Sequence, residues 1–348
     1  MAVGELSAPA RAVRCPICEG EAAVAEQPVT GYQEPDTFRV AHCPVCDTAF
    51  VTGEGIDPDP LYERIYTQVE RVPGYERYAR HARAVLHARD PLGYLADAED
   101  IYWSVARHLA TRGGAPPRVI EVGSGMGYLT YALSRRGIDV LGVDLSQAAV
   151  ARARDAYGPM YECADVADLA RERSSRYDLA ILNELLEHVH DPAGVLAAVG
   201  QILAPGGEIL VTTPDKGYYP PGSLWETELP PIHLWWFSQS SLRFLARKLG
   251  WQVRFLDFAE YNRTHYALPP RGAATTCDRA PVLAADGRVR AGQAVTSSAH
   301  RLVALSRRLG VTGAVRALQA RVATAAAGAN RPRPTVCAIF TRDGARPG

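Results

Sequence analysis

Residues 119–127 read V-I-E-V-G-S-G-M-G, a short apolar run that breaks into glycines at every second position. A strand that stops abruptly in such a loop lets backbone come close to a bound nucleoside. Gly123, Gly125 and Gly127 remove side chains where a ligand would lie. Twenty-one residues after Gly123, Asp144 closes a second apolar run, D-V-L-G-V-D. An acid at the tip of the second strand is placed to accept hydrogen bonds from two ribose hydroxyls. A nucleoside cofactor is the first expectation, and which one it is decides the function.

The dinucleotide fingerprint is G-x-G-x-x-G, its third glycine packing a helix against a strand. Here Tyr128 stands at that third position, the pattern is G-x-G-x-G, and Glu121 precedes the first glycine by two residues. A pyrophosphate needs a helix N-terminus brought close. A sulfonium cofactor has no phosphate, and a nearby acid suits its ammonium group. The loop resembles motif I of the class I S-adenosylmethionine-dependent methyltransferases.

Further segments carry the same resemblance in order. Asp165, in Y-E-C-A-D-V-A-D-L, stands where that family ends its third strand region and meets the adenine amino group; it serves equally as a helix N-cap. Residues 177–192, Y-D-L-A-I-L-N-E-L-L-E-H-V-H-D-P, look like the fourth-strand motif of the ubiquinone-biosynthesis type of methyltransferase. Residues 203–214, L-A-P-G-G-E-I-L-V-T-T-P, give a turn into a fifth strand, and the runs at 251–258 and 335–341 fit the last two. The resemblance covers about residues 98–261 plus the final strand. It implies an α/β fold, a doubly wound seven-stranded Rossmann-like sheet. It implies S-adenosylmethionine as cofactor and S-adenosylhomocysteine as product. The cofactor contacts it implies are Glu121, Gly123, Gly125, Gly127, Asp144, Leu145, Asp165, Val166, Asn183 and His188.

The chain has 348 residues, room for one full α/β domain plus additions. Its 38 basic and 38 acidic residues cancel, which argues against a nucleic-acid surface as its main business. No apolar stretch approaches a membrane-spanning length, and the N-terminus lacks the basic start and apolar core of a signal peptide. A cytoplasmic protein is expected.

Four of the seven cysteines fall as Cys15-Pro-Ile-Cys18 and Cys43-Pro-Val-Cys46, two knuckles separated by 24 residues. That spacing fits a tetrahedral four-cysteine zinc ribbon. Four thiolates leave no open position, so the expected Zn2+ is structural. In a segment this short the ion stands in for a core. His42 reads as a bystander, and Cys163, Cys277 and Cys337 read as small core residues. The ribbon and the catalytic domain are expected to have separate cores.

The resulting map is a zinc ribbon over 12–56, a helical cap and linker over 57–112, and a cofactor-binding catalytic core over 113–261. A helical insertion over 262–331 and a last core strand and tail over 332–348 complete it. The cap is rich in tyrosines, among them Tyr62, Tyr66, Tyr75, Tyr78, Tyr94 and Tyr102. In the insertion Val311, Val315, Leu318 and Val322 repeat at helical spacing. Their face is expected to bury against the core, a lid, or a second subunit in a homodimer.

The acceptor end is written in residues 213–238. Five prolines and six large aromatics crowd a connection past the C-terminal end of a strand, where α/β sheets bind ligands. It reads as a substrate loop with stacking surface. His233 resembles the histidine of an H-L-x-x-F-S segment in zinc-ribbon relatives of this family, and could act as general base. Glu187 and His188, at the tip of the fourth strand, are rival bases. Asn183 is followed by Glu184, Leu185 and Leu186, which is not the pattern of amino-methyltransferases acting on nucleic-acid bases. Three function classes follow. The first is methyl transfer to a small or medium-sized acceptor, such as a natural product, a sugar or a modified peptide, in secondary metabolism. The second is an RNA or protein methyltransferase gripping its substrate with the ribbon. The third is a non-catalytic or NAD-dependent Rossmann protein, against which Tyr128 and L-A-P-G-G weigh.

Overall fold

The computed structural model describes residues 12–219, 229–265, 280–290 and 332–342, with the single positions 322, 328 and 330. The first elements are strands β1 (Ala12–Arg14), β2 (Glu21–Val24), β3 (Val29–Thr30), β4 (Thr37–Cys43) and β5 (Thr48–Thr52). Both knuckles are shaped the same way. The residue after each second cysteine, Glu19 or Asp47, sits in the left-handed region at φ 62° or 59°. Its amide donates back to the carbonyl of the first cysteine, Cys15 or Cys43, at 2.9 Å.

Helices α1 (Asp59–Thr67), α2 (Glu76–Ala84), α3 (Pro91–Ala98) and α4 (Asp100–Arg112) follow. Then strands and helices alternate: β6 (Val119–Val122), α5 (Tyr128–Ser134), β7 (Val140–Asp144), α6 (Gln147–Tyr157), β8 (Tyr161–Cys163), α7 (Val166–Glu172), β9 (Tyr177–Asn183), α8 (Pro192–Ile202) and β10 (Leu203–Pro214). The short β11 (Trp235–Trp236), α9 (Gln239–Lys248), β12 (Trp251–Phe255), α10 (Ala259–Thr264) and β13 (Thr335–Arg342) complete the described chain.

The large sheet has seven strands in the order β12-β13-β10-β9-β6-β7-β8. The pairs from β10 to β8 are parallel, and β13 runs antiparallel to both neighbours. Residues on β9 alternate between two cores, as the two-residue strand period requires. Ala180 and Leu182 face one and Leu179 and Ile181 the other. The chain moves outward from β6 through β7 and β8, then returns to β9 on the other side of β6. The order therefore reverses between β6 and β9, and the crevice outside their carboxyl ends is where such sheets bind ligands.

The expectation of separate cores fails. Cys15, Ile17, Ala22, Val24, Cys43, Cys46 and Phe50 belong to one apolar cluster with Ile120, Leu182, Val211, Leu242 and Leu245 of the large sheet and its helices. The reason is the 229–238 segment. β11 adds antiparallel to β5, pairing Trp235 with Phe50 and Trp236 with Ala49. The small sheet reads β1-β2-β4-β5-β11 with β3 on β4, so its last strand comes from the far domain. Polar ties reinforce the join. Ser238 and Ser241 hydroxyls donate to the Asp47 carbonyl at 3.3 and 3.2 Å, and Lys248 Nζ donates to the Pro16 carbonyl at 2.8 Å. Lys216 pairs with Asp47.

Two more expectations change. Trp235, Trp236 and Phe237 are all buried. Trp235 packs on Phe50 and stacks with Phe237, so these rings join the domains and offer no stacking surface to a substrate. Cys163 is exposed, because it ends an edge strand, whereas Cys337 is buried on β13, which is flanked by β12 and β10. Cys277, Trp225 and the helical repeat at Val311, Val315 and Leu318 lie outside the described residues; Val322 is exposed. Among the described residues no helix is long and apolar enough to cross a membrane.

Candidate functional site

The turn after β6 is the structural centre of the crevice. Gly123, Gly125 and Gly127 all have positive φ, at 76°, 50° and 79°. What crowds them differs. A methyl group on Gly123 would meet Leu185 at 2.8 Å, and one on Gly127 would meet Ala153 at 2.6 Å and Tyr161 at 2.7 Å. Only Gly125 is open, its nearest neighbour being the Tyr66 hydroxyl at 3.5 Å. Two of the glycines thus serve packing, and one leaves room above the loop. Tyr66 comes from α1, so the cap lies over this turn.

Asp144 ends β7 directly beside it. Its Oδ2 accepts from the Gly125 amide at 2.7 Å and its Oδ1 from the Ser146 amide at 2.9 Å. A carboxylate has about four acceptor sites, so lone pairs remain for a ligand. Burial raises its pKa, against the pull of those amides. The next residue, Leu145, is 70% exposed. A large apolar side chain held out of the core beside an acid is a ready face for a ring.

Glu121 does not reach the crevice freely. It is 4% exposed, takes a hydrogen bond from Thr130 Oγ1, and burial pushes its carboxyl up to about 8. Asp165 caps α7, accepting from the Ala167 amide at 2.7 Å, and Val166 packs into the core. Asn183 Oδ1 accepts from Thr212 Oγ1 at 2.7 Å, and the Glu184 amide donates to the Thr212 carbonyl at 3.0 Å. These bonds hold the end of β9 to β10. Glu184 has a left-handed φ of 52°, and burial lifts its carboxyl to about 7 against the opposing charge of Arg77.

Glu187, His188 and His233 converge beyond the end of β9. The two imidazoles meet edge to face with centroids 4.6 Å apart. His188 Nε2 lies 4.0 Å from Glu187 Oε1. Leu234 and Trp235 amides donate to the Glu187 carbonyl at 2.9 and 3.2 Å, and the Val51 amide donates to Leu234. His233 is therefore held between β9's turn and the ribbon sheet. His188 Nδ1 lies 2.7 Å from the Ile232 carbonyl and 2.7 Å from the Tyr62 hydroxyl. A carbonyl can only accept, so the neutral ring carries its proton on Nδ1 and its lone pair on Nε2. Burial pushes His188 down to about 4, opposed by the Ile232 and Glu184 carbonyls, and pushes His233 well below the usual range.

Sequence reasoning named Tyr62 only as one of several cap tyrosines. Its partner is 126 residues away, and no local pattern announces such a contact. Thr130 and Thr212 were not foreseen at all.

The four cysteines of the knuckles bring their sulfurs within 4.8 Å of one another. Cys15 and Cys46 are 3.5 Å apart and Cys18 and Cys43 3.4 Å. Zinc–sulfur bonds of about 2.3 Å place tetrahedral sulfurs about 3.8 Å apart, so the donor set and spacing fit the ion. His42 faces away, toward Asp47 at 3.2 Å.

Residues 94–255 match the family model described as a methyltransferase domain. A ubiquinone biosynthesis O-methyltransferase of Acinetobacter baumannii (strain AYE) is 36% identical over 110 residues, covering 30% of this chain and 46% of that protein. One from Nitrosococcus oceani is 38% identical over 107 residues, covering 29% and 45%. The chain thus spans just under half the length of the curated relatives it matches. Among solved structures, a possible histamine N-methyltransferase from Thermotoga maritima covers 57% of this chain and 85% of its own, with 22% identity and a TM-score of 0.41. A likeness of that size bears on neither substrate nor partner.

Proposed function

We propose that this chain transfers a methyl group from S-adenosylmethionine to a small or medium-sized acceptor. The observation that carries the reading is the pairing of Asp144 with the open turn at Gly125, set at the point where the strand order reverses. The match over residues 94–255 supports it. Asp144 would hold the ribose hydroxyls and Leu145 the adenine face. Glu121, buried and bonded to Thr130, would act on the loop's shape more than on the ligand.

The bound cofactor supplies an already activated methyl group. The protein's task is then to align an in-line attack and to exclude water. Glu187, His188 and His233 stand at the acceptor end and would take the proton the acceptor releases. An imidazole lowered to about 4 is neutral at neutral pH yet a weak base, so the three groups are read as a unit. We assign a structural zinc to Cys15, Cys18, Cys43 and Cys46.

The test is calorimetric titration with S-adenosylmethionine and S-adenosylhomocysteine, followed by transfer of labelled methyl to a panel of hydroxylated small molecules. Binding of both cofactor forms with label transfer is the expected result. Failure of either form to bind sinks the reading.

A further inference from the structure

We propose that Glu187, His188 and His233 form a second metal site, distinct from the cysteine cluster. It takes a divalent first-row transition ion whose open positions suit an oxygen-bearing acceptor. The acceptor clause rests on the methyltransferase reading above; the metal site does not.

Each of the three residues offers one donor atom, and these atoms lie within 4.8 Å of one another. Six-coordinate ions with ligands at about 2.1 Å separate neighbouring donors by about 3.0 Å and opposite ones by about 4.2 Å, so the three can share one ion with small adjustment. The lone pair of His188 is on Nε2, the nitrogen 4.0 Å from Glu187 Oε1. A lone pair set toward a carboxylate is a repulsive arrangement that a cation between them reverses. His233 is 5% exposed, and among the described residues its Nδ1 has no hydrogen-bond partner. Leaving such a nitrogen buried and unpaired is unfavourable, because it has lost its bond to water and gained none in return. The outer contacts match what a ligating histidine requires. The far nitrogen of His188 is fixed by the Ile232 carbonyl, and Tyr62 touches both groups, its hydroxyl donating to that carbonyl at 3.1 Å.

Donor chemistry separates this site from the ribbon. Four thiolates select zinc, whereas two imidazoles and a carboxylate suit manganese or iron and leave positions open. An acceptor hydroxyl held there becomes more acidic. In the transfer its O–H bond breaks and the proton leaves to solvent, because the triad that accepts it in the metal-free chain is then engaged as ligands. The oxygen's electron pair then forms the O–CH3 bond as the sulfonium's S–CH3 bond breaks, that pair staying on sulfur. The products are a methyl ether, a neutral thioether and one proton.

Mn2+ is the probe, because it ranks lowest in the divalent series and will not displace zinc from thiolates. The full chain with its ribbon metal in place is titrated with Mn2+ and followed by electron paramagnetic resonance. One bound Mn2+ per chain is expected. His188→Ala, His233→Ala and Glu187→Gln should each weaken it more than about tenfold, and Tyr62→Phe by about tenfold through the lost outer contact. Far-ultraviolet circular dichroism and a thermal melt, measured on each variant, report whether it is folded. Tyr62→Phe keeps the ring and carries the test where His233→Ala does not fold. No bound Mn2+ in the unaltered chain, or equal binding in all variants, overturns the proposal and leaves the triad as a proton acceptor. Mn2+ bound at the triad of a chain that does not bind S-adenosylmethionine would instead sink the methyltransferase reading and keep the metal site.

Discussion

Asp144 and His233, proposed above for the two walls of the site, are held in different ways. The partners of Asp144 are the amides of Gly125 and Ser146, both within 20 residues of it and both part of the large sheet's own turns. His233 is held by Glu187 from the large sheet and, through Leu234 and Val51, by the N-terminal sheet. The wall proposed for the cofactor is local, and the wall proposed for the acceptor draws on segments around residues 51, 187 and 234. A defect in the ribbon should therefore reach one wall and spare the other.

The largest expected effect tests this directly. A structural zinc contributes on the order of 10 kcal/mol to the folding of a small ribbon, so Cys18→Ser should unfold it. Turnover should then fall as far as in His233→Ala, about 10²–10⁴-fold, while cofactor affinity changes little. Turnover and calorimetric affinity falling together would mean the walls are not independent.

Acid should separate the walls next. His188 is held at about 4 in the folded chain, against about 6.5 unfolded. Between those values the unfolded chain binds the extra proton. Stability from this group is therefore complete above pH 6.5 and lost as pH falls through 4, in total about 3 kcal/mol. Thermal melts from pH 7 to 4 should show a shallower loss in His188→Gln than in the parent. Parallel curves would place His188 in water.

On the cofactor wall, Asp144→Ala should weaken S-adenosylmethionine by about 1–3 kcal/mol, with turnover at saturating cofactor nearly kept. An unchanged dissociation constant would remove Asp144 from the site. The smallest effect is at Asp165. Its bond to the Ala167 amide is a helix cap, so Asp165→Ala should cost about 1 kcal/mol in a denaturant titration. If cofactor affinity drops by as much, the adenine role holds as well.

The legible parts of this molecule are those whose cause is local. Glycines at alternate positions, an acid ending the next strand and paired cysteines announce themselves because their partners lie a few residues away or repeat the same short motif. The large sheet was expected because several short motifs resemble, in order, those of the class I methyltransferases. What stayed hidden depends on contacts between distant segments. The aromatics of 235–237 look like a binding surface in sequence, since burial against a strand 185 residues earlier leaves no local mark. Cys163 reads as a small core residue in sequence, yet an edge position exposes it. Thr130 could not be seen as the partner of Glu121, nor Tyr62 as that of His188.

The β5–β11 join also has a consequence for how the chain reaches this state. Ser238 closes onto Asp47 across 191 residues, so the join belongs to the contacts of highest sequence separation. Loop closure over such a length gains nothing until the intervening strands have condensed and brought the ends near. The N-terminal sheet, synthesised first, must wait with β5 as an open edge, and an open edge can pair with another chain. Translation through residue 236 precedes its closure, which makes the two-residue β11 the last piece of that sheet and its seal against association.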